Sequence, residues 1–143
     1  FRFQCSCSFA IPELKEGESQ GLTCYYDENS YIKFGAACQE GEMGILLQEY
    51  IGDGYRSSRF KQAAFEEIRE ISLKVEADNL IRRFFYKKDG QWELIAELED
   101  TSYLSSEGLK KGKRFTGATI GIYVHGIGCK SFQDWRYIES CDK

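Results

Sequence analysis

The chain opens on FRFQCSCSF, Phe1–Phe9, a stretch in which apolar or thiol residues alternate with polar ones at every position. A period of two is typical of a β-strand that buries one face, because successive side chains point to opposite sides. The same alternation recurs in ISLKVEAD, Ile71–Asp78, where apolar residues alternate with Ser, Lys, Glu and Asp. Both stretches predict strands that place one side against a core.

Turn signals divide much of the remaining chain into similar segments. Hairpin turns are predicted at Asp27–Ser30, Glu40–Glu42, Gly52–Gly54 and Lys88–Gly90, where Gly, Asn or Asp can adopt a positive φ. About ten such strands without an internal repeat predict an all-β fold. We expect residues 1–143 to form a single domain, a two-sheet antiparallel β-sandwich or jelly roll.

Helical patterns are brief. Helical spacing competes with the strand pattern between Phe60 and Glu70, but strict alternation favours a strand from about residue 69 onward. The polar stretch Asp100–Arg114 has room for one short helical turn around Ser102–Ser106. Neither segment changes the predicted fold class.

Charge and composition exclude several classes of partner. The formal net charge is −4, whereas a nucleic-acid-binding domain carries a basic face. The basic run Lys110–Arg114 lacks a glycine-rich phosphate cradle and is interpreted as a solvated loop. No apolar stretch approaches the roughly 20 residues of a membrane-spanning helix. We therefore expect neither nucleic acid nor a membrane as a partner.

The six cysteines do not have the spacing of a disulfide scaffold or a zinc site. No CxxC pair occurs, and five of the cysteines, Cys5, Cys7, Cys24, Cys38 and Cys129, lie inside or beside strand patterns, where a free thiol acts as a small hydrophobe. Reduced, structural thiols are the main expectation. One bridge stays open, from Cys5 or Cys7 to Cys141, if the terminal strands pair. The single histidine, His125, and the missing ligand spacing predict no zinc site.

Catalytic machinery is not recognisable in the sequence. His125 lies near two glycines at a strand end, where a loop position is favoured over a catalytic one. Most carboxylates occupy turns or the polar side of strands, while a general acid needs a desolvated site. The glycine-rich stretch Gly121–Gly128 has neither dinucleotide nor P-loop spacing. No catalytic residue and no cofactor is expected.

Aromatic residues are the better functional hint, since sugar rings dock on exposed aromatic faces. The candidates for such a platform are Tyr25, Tyr26, Trp92, Trp135 and Tyr137. Trp92 alternates with Leu94, Ala96 and Leu98 and is expected in the core with them. One of two sets on the last strand must face out, either Trp135 with Tyr137 or Phe132 with Asp134 and Ile138. From its pattern, Phe115 either starts a core face or projects towards a partner.

Five short motifs occur in order along the chain. They are GLTCYY (21–26), DGQW (89–92), TSYLS (101–105), FTGATIG (115–121) and FQDW (132–135). Together they resemble the C-terminal β-sandwich of glycoside hydrolase family 43 β-xylosidases, where the corresponding pieces are AGLxxYY, DGxxW, YLS, FTGAFxG and a DFDYF-type strand. The resemblance covers about Phe1 to Ser140. This sequence departs from the family's pattern in the last hairpin, at Ile120, Gln133, Trp135 and the short loop Gly126–Lys130.

The resemblance implies a concanavalin A-like (lectin-like) sandwich that follows a five-bladed β-propeller. That propeller would hydrolyse xylo-oligosaccharides, and sometimes arabinofuranosides, with inversion. Its acid and base carboxylates would belong to the propeller, so none is carried onto this chain. Phe115 matches the Phe of the FTGA motif, which lies on a loop that packs over the propeller's pocket. Closing the pocket would exclude water and fix the substrate.

Two functions follow as hypotheses. The first is an accessory domain of a xylan-degrading glycosidase, whose partner is the catalytic β-propeller of the same protein and, indirectly, a xylo-oligosaccharide. The alternative is a free-standing carbohydrate-binding module that uses Tyr25, Tyr26 and Trp135. A stand-alone enzyme would need a buried carboxylate pair.

The first hypothesis carries further expectations. A chain that opens in mid-strand is interpreted as a fragment of a longer protein, its C-terminal part. Without its propeller it should expose an apolar patch, which favours a homo-oligomer. Free cysteines and the missing signal favour the bacterial cytoplasm, with secretion as the alternative.

Overall fold

The structure is a computed structural model that describes residues 2–10, 13–52, 54–63, 70–104, 119–126 and 132–140. Its strands are β1 (Arg2–Ala10), β2 (Ser19–Asp27), β3 (Ser30–Gln39), β4 (Glu42–Ile51), β5 (Gly54–Gln62), β6 (Glu70–Asp78), β7 (Ile81–Lys88), β8 (Gln91–Leu98), β9 (Thr119–His125) and β10 (Gln133–Ser140). One 3₁₀ helix, Ser102–Leu104, lies between β8 and β9. No helix in these ranges is long and apolar enough to cross a membrane.

The strands form two five-stranded sheets. The first sheet has the order β10-β1-β6-β7-β8 and the second has the order β5-β4-β3-β2-β9. Every pair of hydrogen-bonded neighbours is antiparallel. The predicted all-β sandwich is therefore confirmed.

The core lies between the two sheets and follows the alternation of the sequence. Cys5, Cys7 and Phe9 of β1 are almost completely buried, and the same side of β6 is buried too. From the second sheet Phe34 meets Phe84 of the first, edge to face, with ring centroids 5.2 Å apart. Burying a side chain of this size contributes about 1.5–3 kcal/mol. We call this side of each sheet its inner face.

Predicted turns close the hairpins. Asp89 and Gly90 have φ values of 53° and 78° between β7 and β8, the two successive positive values of a type I′ turn. Glu40 and Gly41 repeat this between β3 and β4, with φ values of 52° and 77°. The carboxylate of Glu16 accepts hydrogen bonds from both of their backbone N–H groups, at 2.6 and 2.9 Å.

The segment from Phe60 to Glu70, where helical spacing competes with the strand pattern, begins and ends in β-strands. It belongs to β5 up to Gln62 and to β6 from Glu70, while residues 64–69 lie outside the described ranges. The helical turn expected at Ser102–Ser106 is present as the 3₁₀ helix Ser102–Leu104. It begins where Asp100 Oδ1 accepts a hydrogen bond from Ser102 N at 3.0 Å, a local cap of the kind that short polar side chains provide.

Trp92 does not lie in the core as predicted. Ala96 and Leu98 are buried, but Leu94 is 51% exposed and Trp92 is half-buried. The pairing of β7 with β8 shifts from Phe84–Ala96 to Phe85–Leu94. Ile95 is therefore an extra residue, and such a β-bulge reverses the facing of the residues before it. Trp92 consequently lies on the outer face of the first sheet.

On the last strand one of two sets was expected to face out, and members of both sets are exposed. Trp135, Tyr137 and Ile138 are all 42–52% exposed, so neither side of β10 is buried. β10 is the edge strand of the first sheet, and its pairing with β1 is irregular between Ser6 and Ser8. Asp134 has a positive φ of 55° at that irregularity. Both faces of an edge strand can remain in contact with solvent.

Candidate functional site

Phe115, the proposed pocket-closing residue, lies outside the described residues, as does the basic run Lys110–Arg114. The first described residue after it is Thr119, where β9 begins. Thr119 is the cross-strand partner of Tyr25, and its Oγ1 donates a hydrogen bond to the Tyr25 carbonyl oxygen at 3.2 Å. The FTGA motif therefore leads directly into the end of the second sheet that carries Tyr25.

Tyr25 belongs to a row of three tyrosines, which we call the tyrosine row. Tyr25, Tyr31 and Tyr50 are direct cross-strand partners on β2, β3 and β4. Their rings stack with centroids 6.1 and 4.9 Å apart and interplanar angles of 22° and 17°. The row lies on the outer face, because the neighbouring Cys24 and Ile32 are buried. Because the rings stack, each covers part of its neighbour's face, and the exposed part of the row is apolar surface that a ligand could contact.

The other two aromatic candidates lie elsewhere. Tyr26 follows Tyr25 at the bulge that ends β2, and it is half-buried against the core. Trp135 lies on β10, in the other sheet, and is 45% exposed. The three candidates therefore do not form one platform.

The inner faces of the two edge strands are poorly covered. Ile122 of β9 pairs with buried Leu22, and Tyr137 of β10 pairs with buried Cys5, so both side chains have the inward orientation. Ile122, Val124, Trp135 and Tyr137 are nevertheless 42–47% exposed. β9 and β10 flank the same side of the sandwich, since their neighbours β2 and β1 contact each other. We call these four side chains the open edge.

The outer face of the first sheet carries a groove with a volume of about 400 Å³. Its floor is formed by Ser6, Ser8 and Ser72. Ser8 and Ser72 are cross-strand partners, and their Oγ atoms lie 2.8 Å apart. Both are more than 90% buried although they are on the outer face, because longer side chains rise around them. We call this feature the serine groove.

Trp92 and two lysines form one wall of the serine groove. The Lys74 and Lys87 ammonium groups lie 4.9 and 5.1 Å from the centre of the Trp92 ring, distances typical of cation–π contacts. Lys74 also forms an ion pair with Glu76 at 3.1 Å. Arg136 and Ile138 of β10 line the opposite wall.

A buried carboxylate is present in the core, on Glu49 of β4. Its Oε2 accepts a hydrogen bond from Tyr103 Oη and its Oε1 accepts one from Ser57 Oγ, both at 2.5 Å. No second buried Asp or Glu occurs in the described ranges. Two hydroxyl donors satisfy this carboxylate, which indicates a structural role.

Arg82 is a buried cation of the core, 3% exposed. Its Nη1 donates a hydrogen bond to Thr101 Oγ1 at 2.6 Å, and its guanidinium lies 5.7 Å from the Phe3 ring centre. Thr101 in turn donates to the Leu80 carbonyl oxygen at 2.8 Å. Among the described residues the TSYLS motif therefore supplies one partner to each of these buried charged groups, Thr101 to Arg82 and Tyr103 to Glu49.

The described cysteines are buried free thiols. Cys5, Cys7, Cys24 and Cys38 form no disulfide, while Cys129 and Cys141 lie outside the described residues. Burial, reinforced by a neighbouring thiol, raises the pKa of Cys5 and of Cys7 to about 12. Burial also raises the pKa of Cys24, although nearby Arg82 opposes the shift. Such thiols are poor nucleophiles and metal ligands.

His125 ends β9 in an exposed position, with Nδ1 3.5 Å from Lys33 Nζ. In the described part of the chain, no three His, Cys, Asp or Glu residues are grouped closely enough to hold a metal ion.

A family model for the β-xylosidase C-terminal concanavalin A-like domain matches residues 1–139. The chain belongs to this family. A relative from Butyrivibrio fibrisolvens, named xylosidase/arabinosidase, is 23% identical over 138 residues, which are 94% of this chain and 25% of the relative. This xylosidase C-terminal domain therefore spans about a quarter of the length of that relative.

Solved structures confirm the concanavalin A-like fold of the domain. The GH43 protein BlXynB from Bacillus licheniformis is 28% identical and superimposes with a TM-score of 0.72, over 96% of this chain and 27% of that protein. A xylan β-1,4-xylosidase from Bacillus halodurans C-125 is 21% identical. It superimposes with a TM-score of 0.75 over 97% of this chain and 28% of that protein.

Sequence reasoning missed the tyrosine row and the serine groove. Tyr31 and Tyr50 were readable as exposed strand residues, but their alignment with Tyr25 depends on the register of three strands. The serine groove was hidden because strict alternation placed Trp92 inside. The residues Trp92, Leu94 and Ala96 fit regular alternation, so the sequence carried no signal of the bulge at Ile95.

Proposed function

We propose that this chain is the accessory C-terminal domain of a xylan-degrading glycoside hydrolase of the β-xylosidase or α-L-arabinofuranosidase type. It packs on a catalytic β-propeller of the same polypeptide and helps to close that domain's substrate pocket. Membership of the xylosidase C-terminal family supports the accessory role. The chain's match to only about a quarter of the Butyrivibrio xylosidase/arabinosidase fits a larger parent protein.

The open edge carries the packing part of the proposal. Ile122 and Tyr137 have the inward orientation of core residues, yet almost half of each side chain is exposed. Exposed apolar side chains on one side of the sandwich favour a contact with another domain. β9 also begins four residues after Phe115 in the sequence, so the same strand connects the open edge to the FTGA motif.

Phe115 is the proposed closing residue, and its removal tests the role. In the full-length enzyme we expect Phe115→Ala to lower kcat/KM on a xylobiose-like substrate roughly tenfold or more, because water enters the pocket and the substrate pose loosens. Phe115→Leu, which retains apolar bulk, should restore part of the activity. An unchanged kcat/KM for Phe115→Ala would exclude the closing role.

A control separates this effect from general destabilisation. Phe85 is a half-buried aromatic residue on the outer face of the first sheet, beside Lys74. Phe85→Ala removes an equal side chain from a surface that the proposal does not place at the pocket. Its kcat/KM should remain close to that of the unmodified enzyme. An equal loss of kcat/KM in both variants would show that Phe115→Ala acts through reduced stability.

The tyrosine row favours a second candidate, a carbohydrate-binding module. Three stacked rings along Tyr25, Tyr31 and Tyr50 form a strip on which neutral sugar rings can lie. Isothermal titration of this chain with xylohexaose distinguishes the two functions. The module predicts measurable affinity that Tyr25→Ala weakens, whereas the accessory domain predicts no heat of binding for a neutral oligosaccharide.

The cytoplasmic location and the homo-oligomer stay predictions. Self-association of this chain through the open edge would follow from the same exposed apolar side chains that support packing on the propeller.

A further inference from the structure

The serine groove has the size and composition of a polar ligand site. Its volume of about 400 Å³ falls in the range of small-molecule pockets, roughly 300–1,000 Å³. Small hydroxyl side chains form its floor, and Trp92 forms part of its wall. Hydroxyl groups beneath and an aromatic ring beside the ligand are suited to a sugar ring, which has polar edges and an apolar face.

Trp92 is held in place before any ligand arrives. Lys74 lies between the Phe85 and Trp92 rings, 4.6 and 4.9 Å from their centres, and Lys87 is 5.1 Å from the Trp92 centre. Two cation–π contacts restrict the indole and reduce the ordering cost of binding. Lys74 is compensated by its ion pair with Glu76, so Lys87 is the positive charge of this wall that has no described ion pair.

Arg136 brings a second positive charge without a described ion pair to the opposite wall. Arg136, Ser6 and Lys74 are cross-strand partners in a single row, so the Cα atoms of Arg136 and Lys74 are about 10 Å apart, two strand spacings. Among the described residues, neither Arg136 nor Lys87 has a carboxylate within ion-pairing distance. The two carboxylates of the lining, Glu70 and Asp134, lie at one end, where Gln133 donates to Glu70 at 2.6 Å.

We propose that the serine groove binds an anionic sugar, a uronic acid unit carried on a xylan-type chain. The carboxylate of the uronic acid accepts charge-assisted hydrogen bonds from Arg136, and the sugar hydroxyls reach the serine floor and Lys87. The sugar ring lies beside Trp92. The choice of a xylan-type chain rests on the proposed function, whereas the preference for an anionic sugar rests on the groove alone.

Isothermal titration with two matched probes tests this site. The probes are a xylo-oligosaccharide that carries one glucuronic acid and the same oligosaccharide without it. We expect the acidic probe to bind at low salt and the neutral probe to give no measurable heat, with the affinity for the acidic probe falling towards 0.5 M NaCl as screening increases. Arg136→Gln and Lys87→Gln should each weaken binding of the acidic probe about fivefold.

Two substitutions provide matched controls. Lys88→Gln removes the same charge from the neighbouring exposed residue, which does not line the groove, and Arg59→Gln removes an exposed guanidinium from the second sheet. Both should leave the affinity unchanged. Unfolding temperatures near that of the unmodified chain should accompany all four variants.

Several results would overturn the inference. Equal affinity for the two probes would contradict the preference for an anionic sugar. If neither Arg136→Gln nor Lys87→Gln weakens binding, the serine groove is not the binding site. Inorganic phosphate that competes as well as the acidic saccharide would identify a general anion site instead. None of these outcomes depends on kcat/KM of the Phe115 variants, so the two proposals can fail separately.

Discussion

Tyr103 Oη donates a hydrogen bond to Glu49 Oε2 inside the sandwich, with the two oxygen atoms 2.5 Å apart. The contact joins the 3₁₀ helix to β4 of the second sheet and satisfies a carboxylate that is only 4% exposed. A buried carboxylate would suggest a catalytic acid if it lined a pocket. Here its hydrogen-bond partners indicate a structural part of the core.

Removal of the Tyr103 hydroxyl tests this structural role. Tyr103→Phe leaves Glu49 with a single described donor, Ser57. We expect the free energy of unfolding to fall by about 2 kcal/mol, because a hydrogen bond to a buried charged group contributes roughly 1.5–3 kcal/mol. Urea denaturation measures the change. Tyr25→Phe, at an exposed site, should change stability by less than about 0.5 kcal/mol, and a similar small value for Tyr103→Phe would contradict the assignment.

The pH dependence of stability should reflect Glu16. Hydrogen bonds from the backbone N–H groups of Glu40 and Gly41 lower the pKa of the Glu16 carboxyl from its ordinary value of 4.5. A pKa that is lower in the folded state stabilises the fold above the unfolded value, and that contribution is lost as pH falls below about 4.5. Melting temperatures between pH 7 and pH 3 should therefore show that Glu16→Gln is destabilised at pH 7 and converges on the unmodified chain in acid.

Glu28→Gln is the control for this measurement. Glu28 is an exposed carboxylate in the turn between β2 and β3, and its removal changes the net charge equally. A convergence of the same size in Glu28→Gln would show that net charge, and not the cap at Glu40 and Gly41, produces the effect.

The outer position of Trp92 has a direct consequence for stability. Trp92→Ala should cost about 1–2 kcal/mol, from lost cation–π contacts and partial burial. Phe84→Ala, in the centre of the core, should cost about 3–5 kcal/mol. Urea denaturation of the two variants compares them. Equal losses of stability would indicate that Trp92 is buried in the core, which would contradict the bulge at Ile95.

Strand positions and most turns followed from local chemistry. Alternation in β1 and β6 predicted which side is buried, since a period of two is a property of the backbone. Asp89-Gly90 predicted its hairpin, because few residues adopt two successive positive φ values. These features depend on neighbouring residues, so a single sequence contains them.

Features that depend on distant pairing were not predictable in the same way. The facing of Trp92 depends on one extra residue in β8, and the exposure of β10 depends on its place at the edge of a sheet. The tyrosine row and the serine groove require the register of several strands at once. Phe115 came from the family resemblance and lies outside the described residues, so its role stays a prediction.

Packing on a catalytic domain is the central claim, and cysteine footprinting tests it most directly. Ile122→Cys and Tyr137→Cys place a thiol at the open edge, and Leu94→Cys places one on the outer face of β8, where Leu94 is 51% exposed. Each is made both in this chain and in the full-length enzyme. Labelling rates with a maleimide at low protein concentration, read by mass spectrometry, compare the two forms.

The claim predicts that labelling at Ile122→Cys and Tyr137→Cys is at least tenfold slower in the full-length enzyme than in this chain. Leu94→Cys should react at the same rate in both. Equal rates at the open edge in the two forms would contradict the packing of this sandwich on its catalytic domain through β9 and β10.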